Sequence, residues 1–420
     1  MTTDSAPQRP PERGLGFIEF VGLMAALMAL SALSIDSMLP NLPAIGESLG
    51  VADENKRQLV ITVYFLGVGG AQLIYGPLAD RFGRRPVLLV GLGLYVFFSL
   101  LAALAPTFGL LLAARALQGV GAAASRIIPV SIVRDRYAGR EMARILSLAS
   151  MVFMAAPIIA PSLGQLVLQL ASWPWVFGLL AAFGLGISLW VYLRLPETLH
   201  PQDRLPIRPG RIAAAFATAA RNRTALCYIL AQSFMFGGMI GFITSSQQIV
   251  AETLGEPGAF PVVFAICASF IAVASLLNAR LVMRLGMRRL SHVALLVYVA
   301  VAALHLAVAA SGHETFVRFV ALQSATMFCF GLASGNFGAM AMEPMGHIAG
   351  VAASFQGFVM LIGAALVGSA IGQSFNGTVV PLQVGYLACG LCTLAVVLIA
   401  ERGRLFQPHA FGAKSAKLAE

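Results

Sequence analysis

Long apolar runs separated by short polar segments dominate this chain from residue 15 to residue 400. A helix needs about 20 apolar residues to cross a hydrocarbon core of about 30 Å. Runs of this length recur twelve times along the sequence. They lie near residues 15–38, 58–78, 87–105, 107–133, 144–168, 174–194, 224–249, 259–281, 290–310, 317–342, 349–372 and 380–400. The pattern predicts an all-α polytopic membrane protein with twelve transmembrane helices.

The composition agrees with a membrane protein, since 58% of the residues are hydrophobic and only 11% are charged. The 28 lysines and arginines are unevenly placed. If the N-terminus is inside, the outer loops hold only Lys56, Arg57 and Arg318, and Arg115 and Arg126 lie within a span. This asymmetry follows the positive-inside rule, and it argues against a nucleic-acid partner despite the net charge of +10. We predict that both termini are cytoplasmic.

The longest polar interruption divides the spans into six and six and holds several prolines and arginines. Such a division is typical of duplicated transporters. We therefore predict two pseudo-symmetric six-helix bundles joined by a cytoplasmic linker. The predicted segments are an N-terminal tail at 1–14, bundles at 15–194 and 224–400, a linker at 195–223 and a C-terminal tail at 401–420.

A faint internal repeat supports the duplication. The segment LADRFGRR at 78–85 recurs as LVMRLGMRR at 281–289, and the two copies align on Gly83. Asp80 of the first copy corresponds to Met283 of the second. The second copy is therefore expected to have lost its acidic partner, and we hypothesise that the two halves function asymmetrically.

The first copy of this repeat carries an unusual density of charge between two apolar spans. Gly76 and Pro77 are expected to end the second span, and Gly83 to permit the turn. Arginines alone are enough to orient the helices, so the aspartate suggests an ion-pair network that closes the inner gate. The plain alternative is that the charges only set topology. The predicted latch residues are Gly76, Asp80, Arg81, Gly83, Arg84 and Arg85, with Arg134 and Asp135 at the end of the fourth span.

Several motifs in the same order resemble the major facilitator superfamily over essentially the whole chain. They are GPLADRFGRR at 76–85, RALQGVGAAAS at 115–125 and APIIAPSLGQ at 156–165. More narrowly, SIDSMLPNLPAIGESLGV (34–51), TVYFLGVGGAQLIYGPLADRFGRRP (62–86) and IVRDRYAG (132–139) resemble the Bcr/CflA-type drug-resistance proton antiporters. The resemblance implies a multi-pass protein of a bacterial inner (cytoplasmic) membrane.

The chain departs from that family at two positions. Gln165 follows Gly164 where the fifth-span signature usually ends in paired glycines. Val130 stands where the subfamily commonly places an arginine, and Arg126 lies one turn earlier. These departures bear on the substrate more than on the fold.

Asp36 and Arg115 are the candidate proton-coupling residues. Asp36 lies in the first span about 6 Å inside its outer end, and Arg115 lies about 12 Å inside the fourth span from the same side. A carboxylate there is costly unless it is paired, hydrated or protonated. A contact with Arg115 in one conformation only would couple proton release to the conformational change. The alternatives are a hydrated residue at the outer mouth and a static ion pair.

Pro157 and Pro161 remove two backbone donors from the fifth span and should bend it. The resemblance places residues that close the two halves here, with Gly164 in the same motif. A passive kink is the alternative.

The candidate substrate-binding residues come from spans that line the central cavity in this superfamily. They are Met28, Tyr64, Gln118, Arg126, Phe234, Phe236 and Asn336. Met and Phe suit bulky hydrophobic substrates but suit packing equally. Arg126 has two open interpretations, namely binding an anionic or carbonyl-bearing substrate and reaching acids in the loops.

These features predict a monomeric, proton-coupled exporter of small amphipathic compounds or multiple drugs, working by alternating access. Its partners are a small-molecule substrate, protons and the lipid bilayer. No Walker A motif, metal-ligand cluster or catalytic constellation is visible, so we expect no cofactor and no enzyme activity. The first alternative is a transporter of an endogenous metabolite by antiport, symport or facilitated passage. A non-transporting receptor or enzyme is the second.

Overall fold

The computed structural model describes residues 15–207 and 209–406. The predicted tail 1–14 and residues 407–420 of the predicted C-terminal tail lie outside the described residues. Within the described part, the chain is helical and contains no strand. The α-helices are α1 (Phe17–Asp36), α2 (Leu42–Ser48), α3 (Leu59–Phe82), α4 (Arg84–Ala103), α5 (Phe108–Arg136), α6 (Gly139–Leu170), α7 (Pro174–Arg194), α8 (Pro209–Arg221), α9 (Arg223–Gln248), α10 (Phe260–Leu285), α11 (Met287–Ala310), α12 (Phe316–Met342), α13 (Ala349–Gln373) and α14 (Val380–Ala400).

Twelve of the helical segments are long and apolar enough to cross a membrane, which confirms the predicted number. The shorter helices α2 and α8 are not separate spans. Helix α2 continues the first span, and α8 lies in the predicted linker. Apolar composition alone therefore located the spans, and short polar segments separate them.

The helices pack as two copies of one pattern. In the first six spans, α1 contacts α6, α3 and α4 both contact α5, and α4 contacts α7. In the second six, α9 contacts α13, α10 and α11 both contact α12, and α11 contacts α14. Each pair in the first set has its counterpart in the second. The repeat seen in the sequence is thus also a repeat of packing.

Two helix pairs join the bundles, namely α3 with α13 and α6 with α10. We call the end where α3 meets α4 the Arg84 end, and the end where residues 54–58 precede α3 the Asn55 end. Among the described residues, every side-chain hydrogen bond between the two bundles lies at the Asn55 end. The structure therefore holds the bundles together by polar contacts at one end.

The second span does not end where the sequence suggested. Helix α3 continues through Gly76 and Pro77 to Phe82, so the expected stop at Gly76 is wrong. A proline removes only one donor, and the helix tolerates it near its last turns. The reversal falls instead on Gly83, whose φ of 104° is readily adopted only by glycine. Asp80 and Arg84 consequently lie in the last turn of α3 and the first turn of α4.

Candidate functional site

Arg84 is the centre of the charge network at the Arg84 end. Its side chain is only 5% exposed and forms ion pairs with Asp80 of α3 and with Asp135 of α5, the latter at 2.9 Å from Nε to Oδ2. Arg85 donates instead to the backbone oxygen of Tyr192 at 2.6 Å. The ion pairs join α3, α4 and α5, and Arg85 ties α4 to α7, so all these contacts lie in the first bundle.

The other predicted latch residues take less part in the network. Arg81 and Arg134 are exposed and form no ion pair within the described residues. The proposed role in closing an inner gate stays a prediction, because these contacts do not reach the second bundle in this conformation.

Glu197 completes this network, and the sequence reasoning missed it. One carboxylate oxygen accepts from the backbone N–H of Arg84 at 2.9 Å and the other accepts from that of Arg85 at 3.2 Å. It thereby caps the N-terminus of α4, where unsatisfied N–H groups favour an anion. The available signal was an acid shortly after the sixth span, in the sequence PETL.

The second bundle has a matching network built from different acids. Arg288, in the first turn of α11, pairs with Glu343 at 3.0 Å and with Glu401 at 2.9 Å. Met283 stands where Asp80 stands in the first copy, so the second motif itself has lost its acid, as the sequence indicated. Arg288 is nevertheless paired, because acids that follow α12 and α14 reach it. A comparison limited to the two copies of the motif misses acids that other helices supply.

Glu401 shows how strongly that second network is held. Burial raises its pKa, but hydrogen bonds from the Tyr228 hydroxyl and the Arg288 guanidinium outweigh burial and leave the pKa below its ordinary value. This balance favours the ionised form of Glu401, and both bundles contain an ion-pair network at the Arg84 end.

Replacing Arg84 with methionine should lower the stability of the protein by about 3 kcal/mol, because Asp135 and Asp80 would keep charges without a partner. The measurement is the midpoint of thermal aggregation in detergent. Arg81→Met is the matched control, since Arg81 is exposed and forms no ion pair in the described residues. Equal midpoints for the two variants would contradict a structural role for the Arg84 pairs.

Asp36 and Arg115 do not form an ion pair in this conformation. Asp36 is the last residue of α1, is 4% exposed, and has no side-chain hydrogen bond or ion pair among the described residues. Arg115 is fully buried and donates to the backbone oxygen of Ser34 at 3.2 Å, two residues before Asp36. The guanidinium of Arg115 thus contacts the backbone near the end of α1, but it does not pair with the Asp36 carboxylate at that end.

Arg115 is held by neutral groups. It donates to the Val60 oxygen at 3.2 Å and to Gln118 Oε1 at 2.6 Å, and its guanidinium lies 4.4 Å from the centre of the Tyr64 ring. Gln118 and Tyr64, predicted to bind substrate, are therefore fully buried partners of this arginine within the first bundle. A guanidinium keeps its charge, so it depends on such acceptors when no acid is in reach.

The fifth-span motif packs against the end of the first span. The amide of Asn41 bridges the two segments, since its Nδ2 donates to Ser37 O at 3.0 Å and to Gly164 O at 3.2 Å. A Cβ at Gly164 would overlap the Ser37 oxygen, so glycine is needed for this approach. Pro157 and Pro161 both lie inside α6, which contacts α10 of the other bundle.

The remaining substrate candidates fall into two groups. Asn336 is buried and donates to Asn278 Oδ1 at 2.7 Å, so it pairs α12 with α10. Met28, Phe234 and Phe236 are half-buried, and the ring of Phe236 also packs against Phe330 of α12. These three stay candidates, whereas Asn336 is committed to packing inside the second bundle.

A cluster of amides closes the Asn55 end, and sequence reasoning missed it entirely. Asn55 Nδ2 donates to the backbone oxygens of Gln373 at 3.1 Å and Phe375 at 2.8 Å, and Gln373 Nε2 donates back to Asn55 O at 2.6 Å. Gln58 donates to Gln248 Oε1 at 2.5 Å, and Gln248 donates to Asn55 Oδ1 at 3.3 Å. We call these residues the amide clasp. The sequence places amides at matching depths at the ends of the second, seventh and eleventh spans. This match was the signal that could have revealed the clasp.

The last of the predicted substrate residues is Arg126 of α5. It lies about 15 Å along α5 from Arg136, is half-buried, and forms no ion pair within the described residues. The alternative in which it reaches acids of the loops is not realised in this conformation. A charge at this depth requires water, a carbonyl or an anion.

The geometry thus comprises two duplicated bundles, a charge network at one end of each, and ionisable residues inside the first. A family model for the Major Facilitator Superfamily matches residues 24–368. The chain is a member of the major facilitator superfamily. It is accordingly a membrane transporter and not an enzyme.

Individual proteins of the superfamily match most of the chain. The bicyclomycin resistance protein homolog of Haemophilus influenzae is 28% identical over 374 residues, which are 88% of this chain and 93% of that protein. The multidrug resistance protein MdtL of Escherichia coli is 27% identical over 390 residues, 91% of this chain and 96% of that protein. The crystal structure of a D-xylose–proton symporter superposes with a TM-score of 0.71 at 13% identity, covering 93% of this chain and 99% of that chain. This likeness places the helices in the superfamily fold.

Proposed function

We propose that this superfamily member is a proton-coupled exporter of small amphipathic compounds or multiple drugs that works by alternating access. The observation that carries the proposal is Asp36, a carboxylate buried at the end of α1 without a hydrogen-bond partner in the described residues. A group in this position costs several kcal/mol as an isolated anion, so it favours taking up a proton or finding a cation. Arg115, anchored two residues away at Ser34, is the cation within reach.

Proton coupling then follows from a change of partner. In the conformation described here Arg115 is satisfied by Ser34, Val60 and Gln118, and Asp36 is free to hold a proton. A movement of α5 against α1 that breaks the Ser34 contact would bring the guanidinium toward the carboxylate and favour release of the proton. Exchange between these two arrangements would link proton transfer to the opening of the opposite end.

Polar contacts between the bundles only at the Asn55 end support alternating access. The amide clasp closes that end, and no side-chain hydrogen bond joins the bundles at the Arg84 end within the described residues. We propose that both termini are cytoplasmic, which makes this conformation inward-facing. We further propose that the chain is monomeric, resides in a bacterial inner membrane and uses the proton gradient with no cofactor.

The main alternative is a transporter for a polar endogenous metabolite. Such a transporter needs several free polar groups in its binding site. Asn336 is already paired with Asn278, and Gln232 accepts from Gln356 at 2.9 Å. Their commitment to internal hydrogen bonds favours amphipathic compounds. The relatives named for bicyclomycin and multidrug resistance support the same choice.

Energised inverted membrane vesicles provide the test. The wild-type protein should accumulate an amphipathic compound in the vesicle lumen, and an uncoupler should abolish the accumulation. Vesicles without the protein are the control. Accumulation that continues after the proton gradient collapses would contradict proton coupling, and transport of sugars or amino acids alone would favour the metabolite alternative.

A further inference from the structure

We infer that the substrate of this transporter carries an anionic group, a carboxylate being the simplest case, and that Arg126 binds it. The inference rests on the proposed export function and names its substrate class. Arg126 lies about 15 Å from the Arg84 end of α5, at a depth where the chain passes through the bundle interior. It is half-buried and forms no ion pair in the described residues.

Within the part of the chain that the structure describes, no acid is placed to neutralise Arg126. In the first bundle, Glu19, Asp36, Asp80, Asp135 and Glu141 all lie within a turn of a helix end. In the second bundle, helices α9 to α14 contain no aspartate or glutamate at all. The interior at this depth therefore carries one uncompensated positive charge. It repels cationic substrates and stabilises anionic ones.

The space beside Arg126 is distinct from the lipid-facing side of α5. Near the Asn55 end this helix exposes Gly109, Leu110, Ala113 and Leu117. Near the Arg84 end it exposes Val130 and Arg134, which point about 90° away from that strip around the helix axis. Arg126 lies one turn before Val130, on the side that packs against α3 farther along, where Gly119 approaches Tyr64. Its exposed fraction thus lies on the side of α5 that is turned away from the strip.

Amides from the opposite side lie at the same depth. Gln72 of α3, Gln232 of α9 and Gln356 of α13 lie about 15, 14 and 10 Å along their helices from the Arg84 end. Gln356 donates to Gln232, and Gln72 lies against Gly357 of the other bundle. At this depth the described residues offer neutral amides and no acid, so no resident anion competes with a carboxylate for Arg126. The half-buried Phe234 and Met28 would cover the apolar part of such a compound.

Binding of a matched pair of probes tests the inference. The probes are 1-naphthylacetate, an amphipathic carboxylate, and 1-naphthylacetamide, its neutral analogue, measured by equilibrium dialysis against the protein in lipid nanodiscs. The wild-type protein should bind the acid about tenfold more tightly than the amide, as expected for a charge-assisted hydrogen bond. Arg126→Gln should remove this preference without weakening binding of the amide, and Arg126→Lys should keep part of it.

Arg134→Gln is the control, because Arg134 is an exposed cation on the same helix. Three results would overturn the inference: no preference for the acid in the wild-type protein, an equal loss of both probes in Arg126→Gln, or displacement of the acid by physiological chloride, which would assign Arg126 to a free inorganic anion. Should Arg126→Gln fail to fold, the wild-type preference and the Arg126→Lys variant still decide. Binding at equilibrium needs no gradient, so failure here leaves proton coupling standing, and failure of coupling leaves this measurement unchanged.

Discussion

Replacing Asp36 with asparagine is expected to abolish substrate-induced proton movement in proteoliposomes, down to the level of empty vesicles, while leaving expression intact. Asparagine keeps the size of the side chain and resembles the protonated acid, but it cannot release a proton. Asp36 is 4% exposed and makes no side-chain hydrogen bond in the described residues, so the substitution removes little structural support. The protein should therefore fold and exchange substrate downhill without coupling.

Two measurements separate coupling from transport. A pH-sensitive dye trapped in the vesicles reports proton movement on addition of substrate, and counterflow of labelled substrate reports exchange without a gradient. Glu47→Gln is the matched control, because Glu47 is an exposed acid at the same end of the bundle. Proton movement that survives in Asp36→Asn would remove Asp36 from the mechanism, and loss in both variants would point to an indirect effect.

The sequence predicted the twelve spans closely because hydrophobic length is a property of each helix alone. It also predicted that Arg115 and Asp36 lie near the same side of the membrane, since depth follows from the rise per residue. It could not predict that Arg115 donates to the Ser34 and Val60 backbone oxygens, because every residue type carries such an acceptor. Gln118 was consequently assigned to substrate when it serves as a partner of the arginine.

The charge networks show a second limit of sequence reasoning. Arg84 was found because its partner Asp80 lies within the same motif. Glu197, Glu343 and Glu401 were missed because they follow other helices and meet the arginines only in three dimensions. Each bundle nevertheless holds one buried arginine paired with two acids, and only the first network includes an acid from the motif itself.

The equivalence of the two networks changes the interpretation of the Arg84 end. Each network is internal to its own bundle, so each stiffens a bundle as a rigid unit. The difference between conformations then has to reside in contacts between bundles. Within the described residues, the polar contacts of that kind are those of the amide clasp.

Removing the clasp should therefore open the Asn55 end. Asn55→Ala deletes the side-chain hydrogen bonds to the Gln373 and Phe375 oxygens and from Gln248, three contacts between the bundles. At about 1 kcal/mol each, the loss is about 3 kcal/mol, which corresponds to a shift of roughly 100-fold in the ratio of the two conformations. The measurement is the distance between spin labels at Glu47→Cys and Glu256→Cys, exposed positions of the two bundles at this end, in a Cys392→Ser background.

The control for the clasp is Asn376→Ala, because among the described residues the Asn376 side chain accepts hydrogen bonds from Thr378 of its own loop and from no other residue. That variant should keep the short distance between the labels, while Asn55→Ala should shift the population to a longer one. An unchanged distance in Asn55→Ala would show that the apolar contacts of α3 with α13 and of α6 with α10 hold the end closed by themselves. A longer distance accompanied by faster proton leak would connect the clasp to coupling, since Asp36 ends α1 on the same side of the first bundle.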